Sequence, residues 1–331
     1  MNAWIQRLQF LLRLSVGLGL VAYFGQQGRP GLGVALALLA VFAHVWASLP
    51  LFAALAWVNR QPQGHGHGPG AWELLQAWWR ELPALERVFS WRQPFAAQAF
   101  AQNLPLAASS DQPPPRRTGV LLVHGFCCNR GLWNGWMQRL QADGHPYLAL
   151  TLEPAFGSID AYADAIEAAL RELTLASGGA PPVIVAHSMG GLAVRAWWRR
   201  HGSGAVPGAT RVRRVLTLGT PHAGTWSAYM AAARNAHQMR YGSPWLAQLA
   251  AQEPADLGAQ FDCYFSHCDQ IVFPSSSALL PGSRAIEMTA VGHLGLVFAP
   301  RVLADLLQLL GEAPADAATT PAAHTAPTKK P

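Results

Sequence analysis

Two apolar blocks open the chain, and short alternating runs fill most of the remainder. Residues 8–25 form an apolar stretch broken by Arg13, and residues 31–58 carry no charged side chain. At about 1.5 Å per residue the second block outruns a hydrocarbon core of about 30 Å, so it predicts a transmembrane helix. Pro50 is placed to kink that helix and His44 to face a partner helix. The short polar connection at 26–31 makes a helical hairpin the first expectation, with Arg13 snorkelling to the headgroups. One interfacial helix followed by a single span is the alternative. A hairpin with Arg7 and Arg13 inside returns the chain to the cytoplasm near Arg60, whereas a single span sends it out. The hairpin therefore favours a bacterial inner-membrane protein with its main domain cytoplasmic rather than periplasmic. A cleaved signal peptide fits less well, because no A-x-A site precedes the second block.

The membrane region, 1–60, is followed by a linker and helix region, 61–117. Residues 61–70 read as a flexible Gly/His/Pro linker, with metal capture by His65 and His67 a weaker option. Apolar Trp72, Leu75, Trp78, Trp79, Leu82, Leu85 and Phe89 then recur at helical spacing, for a helix lying on a membrane surface or packed on the next domain. Residues 101–118 read as a loop ending in Pro113-Pro114-Pro115-Arg116-Arg117. Over 118–312 strand-like runs near 119–124, 146–152, 182–187, 212–218, 261–266 and 284–290 alternate with helical patterns near 132–142, 159–174, 190–200, 226–251 and 297–310. Such alternation predicts an α/β fold, a mostly parallel sheet with helices on both faces. Residues 226–260 allow either a cap with Trp226, Tyr229, Met230, Tyr241, Trp245 and Leu246 on its apolar underside, or ordinary packed helices. The Ala/Pro/Thr-rich tail, 313–331, predicts disorder.

Composition sharpens the membrane reading. Only 13% of residues are charged, against roughly a quarter in typical soluble proteins, and there are 13 tryptophans, a residue that gathers at interfaces. The net charge of +6 is almost all arginine, since the only lysines are Lys329 and Lys330. Those arginines are dispersed and do not alternate with aromatics, which argues against nucleic acid and for anionic lipid as the partner. Cys127 and Cys128 are adjacent in a loop, while Cys263 and Cys268 are near enough in sequence to pair in an oxidising compartment. No paired C-x-x-C spacing offers a zinc site, and no metal or cofactor is expected.

The chemistry centres on Pro182-Val183-Ile184-Val185-Ala186-His187-Ser188-Met189-Gly190-Gly191. An apolar strand runs into a serine, with small residues two places before and after it, Ala186 and Gly190. That is the layout of a nucleophile elbow, where the turn is too sharp for bulk. The other plain reading is a serine N-cap on a buried helix. An earlier strand, Gly119–Val123, ends in His124-Gly125-Phe126, where Gly125 permits a tight turn. The N–H groups of Phe126 and Met189 are the candidate oxyanion donors, and His124 reads as a structural loop residue. Serine needs a base, and the base needs an acid to orient it. Asp269 follows a late strand and His293 lies in a Gly-flanked loop before the last helix. Asp262 is the rival acid but sits at the start of its strand. His222 and His267 are rival bases.

With these motifs in place the chain resembles α/β-hydrolases of the bacterial lipase/esterase group over about 118–311, with A-x-S-x-G in place of the usual G-x-S-x-G. The resemblance implies an α/β-hydrolase fold and a triad of Ser188, Asp269 and His293 in the family's order. It also implies ester hydrolysis through an acyl-enzyme on an apolar, lipid-like ester, without cofactor. Gly219-Thr220-Pro221-His222-Ala223-Gly224 is similar to a segment that shapes the wall below the active site in such lipases. An acyltransferase or thioesterase using the same triad is an alternative. So is a non-catalytic membrane-anchored binding or assembly protein on this scaffold.

Overall fold

The computed structural model describes residues 2–59, 68–104, 117–202 and 211–312. The linker histidines His65 and His67, most of the 101–118 loop and the 313–331 tail lie outside the described residues.

The chain begins with α1 (Asn2–Gln26), turns at Gly28 (φ 72°), and returns as α2 (Pro30–Val41). A Cβ on Gly33 would lie 3.0 Å from the Leu20 carbonyl oxygen, so its absence lets the two backbones approach closely. The expected hairpin is present. The second block is not one helix, however. After α2 it bends by 63° and continues through α3 (Ala43–Trp46) and α4 (Leu49–Val58). The bend falls at Phe42, the C-cap of α2. Pro50 instead sits in the first turn of α4, where its missing N–H leaves no helical bond unmade. Among the described residues one helix, Ala3–Gln26, is long and apolar enough to cross a membrane; the bent pair adds a second only if counted as one span.

Arg13 turns toward neighbouring protein groups. Its guanidinium donates to the Val41 carbonyl (3.1 Å), to Ser90 Oγ (3.3 Å) and contacts His44, which also pairs with Glu86 (2.8 Å). A cation there offsets the negative end of α2. Both ends of the apolar segment lie against the sheet domain. Gln6 donates to Gln93 and to the Cys127 carbonyl, and Asn59 donates to the His267 carbonyl.

The Trp-rich helix α5 (Ala71–Leu85), extended by a π-helical turn at Glu86–Arg92 and by α6 (Gln93–Phe95), packs on the sheet domain. Trp78, Leu85 and Phe89 pack partly buried against it. Ala77, Glu81, Ala84 and Val88 are buried, while Trp72, Leu75 and Trp79 are exposed. Phe52 and Leu55 of α4 join Ala77, Cys268 and Phe273 in a small core of their own.

Among the described residues six strands follow: β1 (Val120–Val123), β2 (Tyr147–Ala149), β3 (Val183–His187), β4 (Arg214–Leu218), β5 (Phe261–Phe265) and β6 (Arg284–Glu287). They form one sheet in the order β2-β1-β3-β4-β5-β6, with every pairing parallel. Parallel strands with helices on both faces bury both sides, which is why Val183-Ile184-Val185 is continuously apolar. Val120 and Leu122 face α7 (Asn134–Ala142) and the C-terminal helix, whereas Leu121 and Val123 face α8 (Ala163–Ala176) and α9 (Met189–His201). Between β4 and β5 the single helical pattern near 226–251 resolves into a 3₁₀ turn at Trp226–Met230, α10 (Arg234–Gln238) and α11 (Pro244–Ala251). Leu246 joins the main core and Trp245 donates to Asp160, but Trp226, Tyr229, Met230 and Tyr241 are exposed. These short helices pack onto the domain, and most of the aromatics expected underneath face outward. The chain then passes through α12 (Gly295–Phe298) and α13 (Pro300–Gly311).

Candidate active site

The strand order reverses direction between β1 and β3, and α/β sheets bind ligands in the crevice beyond the carboxyl ends at such a point. Ser188 stands there, directly after β3 and before α9, at φ 56° and ψ −129°. A left-handed φ on a residue with a side chain is strained, and it persists only where the surroundings enforce it. Three neighbours do so. Ser188 N–H donates to the Leu218 carbonyl of β4 (2.9 Å), and Thr220 Oγ1 donates to the Ser188 carbonyl (2.9 Å). Behind Ser188, a Cβ on Gly190 would come 2.6 Å from the Val123 carbonyl oxygen, so glycine lets the turn press against β1. Ala186 is wholly buried in the core shared with α8 and α9, where a methyl is accommodated.

The first loop closes against this turn. A Cβ on Gly125 would lie 2.7 Å from Ser188 Cβ, so the Gly125–Phe126 backbone runs beside the serine. His124 Nε2 accepts from Leu152 N–H (2.9 Å), and its Nδ1 lies 2.8 Å from the Gly125 carbonyl. Burial pushes the pKa of His124 down to about 4, so it pins the loop as a neutral ring. Phe126 packs edge-on against Phe156, and Met189 Sδ receives a contact from Asn235 Nδ2 (3.4 Å).

His293 and Asp269 meet at the same edge. His293 Nδ1 lies 2.8 Å from Asp269 Oδ2, and both side chains are almost fully buried. Asp269 Oδ1 accepts from the N–H groups of Ile271 (2.9 Å) and Val272 (2.8 Å), which fixes the carboxylate. Gly219, at φ 56°, makes room for the pair, because a Cβ there would fall 2.7 Å from Asp269 Oδ2 and 3.1 Å from His293 Nδ1. The His293 ring stacks obliquely on His187, with centroids 4.5 Å apart. Burial opposes charge on His293, yet the Asp269 carboxylate, with Glu81 behind it, holds its pKa above the usual imidazole value. His187 and His222 go the other way, well below that value, mainly through burial.

The rival groups lie elsewhere. Asp262, at the opposite end of β5, is paired with Arg214 and Arg284. His222 sits beneath β4 and β5 against Thr217 (3.2 Å) and Cys263 (3.6 Å). His267 contacts Ser275 (2.9 Å). Cys263 and Cys268 remain separate thiols, the first under His222 and the second packed with Phe52 and Phe273, and burial raises both pKa values. Among the described residues no group of three or more His, Cys, Asp or Glu side chains is placed to hold a metal ion.

Residues 120–325 match the model of the Alpha/beta hydrolase family. The chain belongs to that family. Among solved structures, the hydrolase is similar to the mature lipase BlEst2 of Bacillus licheniformis, with 18% identity, a TM-score of 0.51, and coverage of 62% of this chain and 96% of that one. It is also similar to lipase B of Aspergillus fumigatus, with 17% identity, a TM-score of 0.52, and coverage of 83% and 68%. No curated protein matches it.

Two residues at this edge carry no motif in the sequence. Gln270 Oε1 accepts from His293 N–H (3.1 Å), and Gln270 Nε2 donates to Glu81 of α5 (2.9 Å). The one available signal for Glu81 was its place on the Ala77–Glu81–Ala84–Val88 stripe, which reads as an ordinary exposed face beside so many tryptophans.

Proposed function

We propose that the protein is a membrane-anchored serine hydrolase that cleaves carboxylic, lipid-like esters through an acyl-enzyme. The observations that carry this reading are the left-handed Ser188 at the end of β3 and the buried His293–Asp269 pair, whose imidazole lies against His187, the residue before Ser188. Ser188 Oγ attacks the carbonyl carbon while His293 takes its proton, and Asp269 stabilises the resulting imidazolium. The N–H groups of Phe126 and Met189 receive the oxyanion. Proton return from His293 releases the alcohol, and water repeats the sequence to free the acid.

The apolar character of the substrate rests on Phe126 and Phe156 beside the serine turn, and on the membrane region. The two lipases of similar fold agree with an ester substrate. Anchoring rests on α1 and on the outward tryptophans of α5. Because both ends of the hairpin return to the hydrolase domain, the N-terminus and the active site share one side of the membrane, with Arg7 and Arg13 favouring the cytoplasm.

A chain-length series of p-nitrophenyl acyl esters, assayed on wild-type membranes and on Ser188→Ala, tests the proposal. Turnover that favours longer acyl chains and vanishes in the variant supports it. Equal turnover in both removes Ser188 from the role, and a preference for the shortest acyl chain removes the lipid-like substrate.

A further inference from the structure

The Glu81 carboxylate is buried to 1% exposure, and among the described residues no arginine or lysine pairs with it. It reaches from α5 into the loop that carries His293. Its Oε1 accepts from Leu294 N–H (2.7 Å) and Gln270 Nε2 (2.9 Å), and its Oε2 accepts from Gly295 N–H (2.8 Å). The two amides are those of the residues immediately after His293. Gln270, the residue after Asp269, holds the His293 N–H through its other amide atom. One carboxylate therefore ties the histidine loop to the acid loop. Gly292 makes the approach feasible, since a Cβ there would lie 2.6 Å from Glu81 Oε2 and 3.1 Å from Gln270 Oε1.

Burying a carboxylate is costly, and burial raises the pKa of Glu81 while its three donors oppose the rise. An apolar residue at 81 would avoid that cost but leave the Leu294 and Gly295 N–H groups without their acceptor. The position serves the loop rather than the helix.

We propose that Glu81 is a positioning residue for His293, so that α5, the tryptophan-faced helix next to the membrane segment, is an integral part of the catalytic edge. This rests on the reading of His293 as the general base. Glu81 sets the loop backbone on both sides of the acid–base pair and adds a second negative charge behind the ring. The groups facing His293 are Asp269 from the loop after β5, His187 from the end of β3 and Glu81 from α5. Arg80, next to Glu81, meets the same loop farther back, at the Ala290 carbonyl (3.3 Å).

The full-length protein in detergent is compared with Glu81→Gln, Glu81→Asp and Gly292→Ala, using kcat, KM, the acid limb of kcat/KM and thermal unfolding. Glutamine presents an N–H where an acceptor is required and removes the charge. We expect kcat to fall about 10- to 100-fold with KM within about twofold, and the acid limb to move to lower pH. Aspartate keeps the charge but not the reach, so its acid limb stays near wild type while kcat falls. Gly292→Ala retains Glu81 but wedges the loop away, and it lowers kcat even where Glu81→Gln proves too unstable to assay. A folded Glu81→Gln with wild-type kcat and acid limb overturns the proposal, as does full activity in Gly292→Ala. Titration of the His293 imidazole by NMR reads the link without turnover: a lower pKa in Glu81→Gln supports it and an unchanged one overturns it. Absence of esterase activity in the wild type would count against the hydrolase reading alone.

Discussion

At the C-terminal edge of the sheet, polar side chains are buried and matched by partners on neighbouring loops: Asp269 by two backbone amides and His293, Glu81 by two amides and Gln270. Along α1 and α5 many large apolar side chains stay outside, among them Trp4, Leu8, Leu12, Trp72 and Trp79, while the buried positions Gln6, Ala77, Glu81 and Ala84 are small or polar. The first region follows the rule for water-soluble interiors, where a buried polar group needs a partner. In the second, the buried positions of α5 are Ala77, Glu81 and Ala84, while Trp72, Leu75 and Trp79 stay exposed. The two regions touch at Glu81.

Variants at the catalytic edge should cost rate, and variants on the outer face should cost membrane binding. Ser188→Ala should lose on the order of 10⁶ in kcat, with an unfolding curve close to wild type. Asp269→Asn should lose on the order of 10⁴, because the imidazole loses its orienting acceptor. The pH dependence has a definite sign. A base must be neutral, and the His293 pKa is held above the ordinary imidazole value, so kcat/KM should rise with pH through a limb above that value. Removing the Asp269 carboxylate lowers this pKa and moves the limb to lower pH. A limb that stayed in place would show that another group titrates.

A scaffold variant gives a middle case. Arg195 of α9 makes a buried bidentate pair with Glu253 (2.7 and 2.6 Å) and also donates to the His222 carbonyl (2.7 Å). Glu253→Ala strands that cation and should cost about 3–5 kcal/mol in urea unfolding, with catalysis spared in the folded fraction. The smallest effect on folding belongs to Trp72→Ser combined with Trp79→Ser. Unfolding free energy should stay within about 0.5 kcal/mol of wild type, while co-sedimentation with anionic vesicles falls several-fold. Marked destabilisation would mean that these tryptophans pack against protein.

The sheet was legible because its signals are local. Each strand is an apolar run with its own turn chemistry, and Ala186 and Gly190 mark the elbow by size alone. All six expected runs overlap the six strands. The apolar segment was legible only as composition. Nothing local announces the bend at Phe42, because the contacts of Arg13 with Val41, His44 and Ser90 join residues far apart in sequence. The same reason hid Glu81, whose partners lie some two hundred residues away. The aromatics at 226–241 left a cap underside and ordinary packed helices equally open, and Trp226, Tyr229 and Tyr241 are exposed. Apolar character alone does not say which face of a short helix turns in.

Whether Ser188 is the activated nucleophile of this fold can be read directly. Membranes carrying the full-length protein should be treated with a fluorophosphonate and the adduct mapped by peptide mass spectrometry. One stoichiometric adduct is expected on Ser188, absent in Ser188→Ala and strongly slowed in His293→Ala. An adduct on any other serine, or undiminished labelling of the Ser188→Ala protein, would contradict that role.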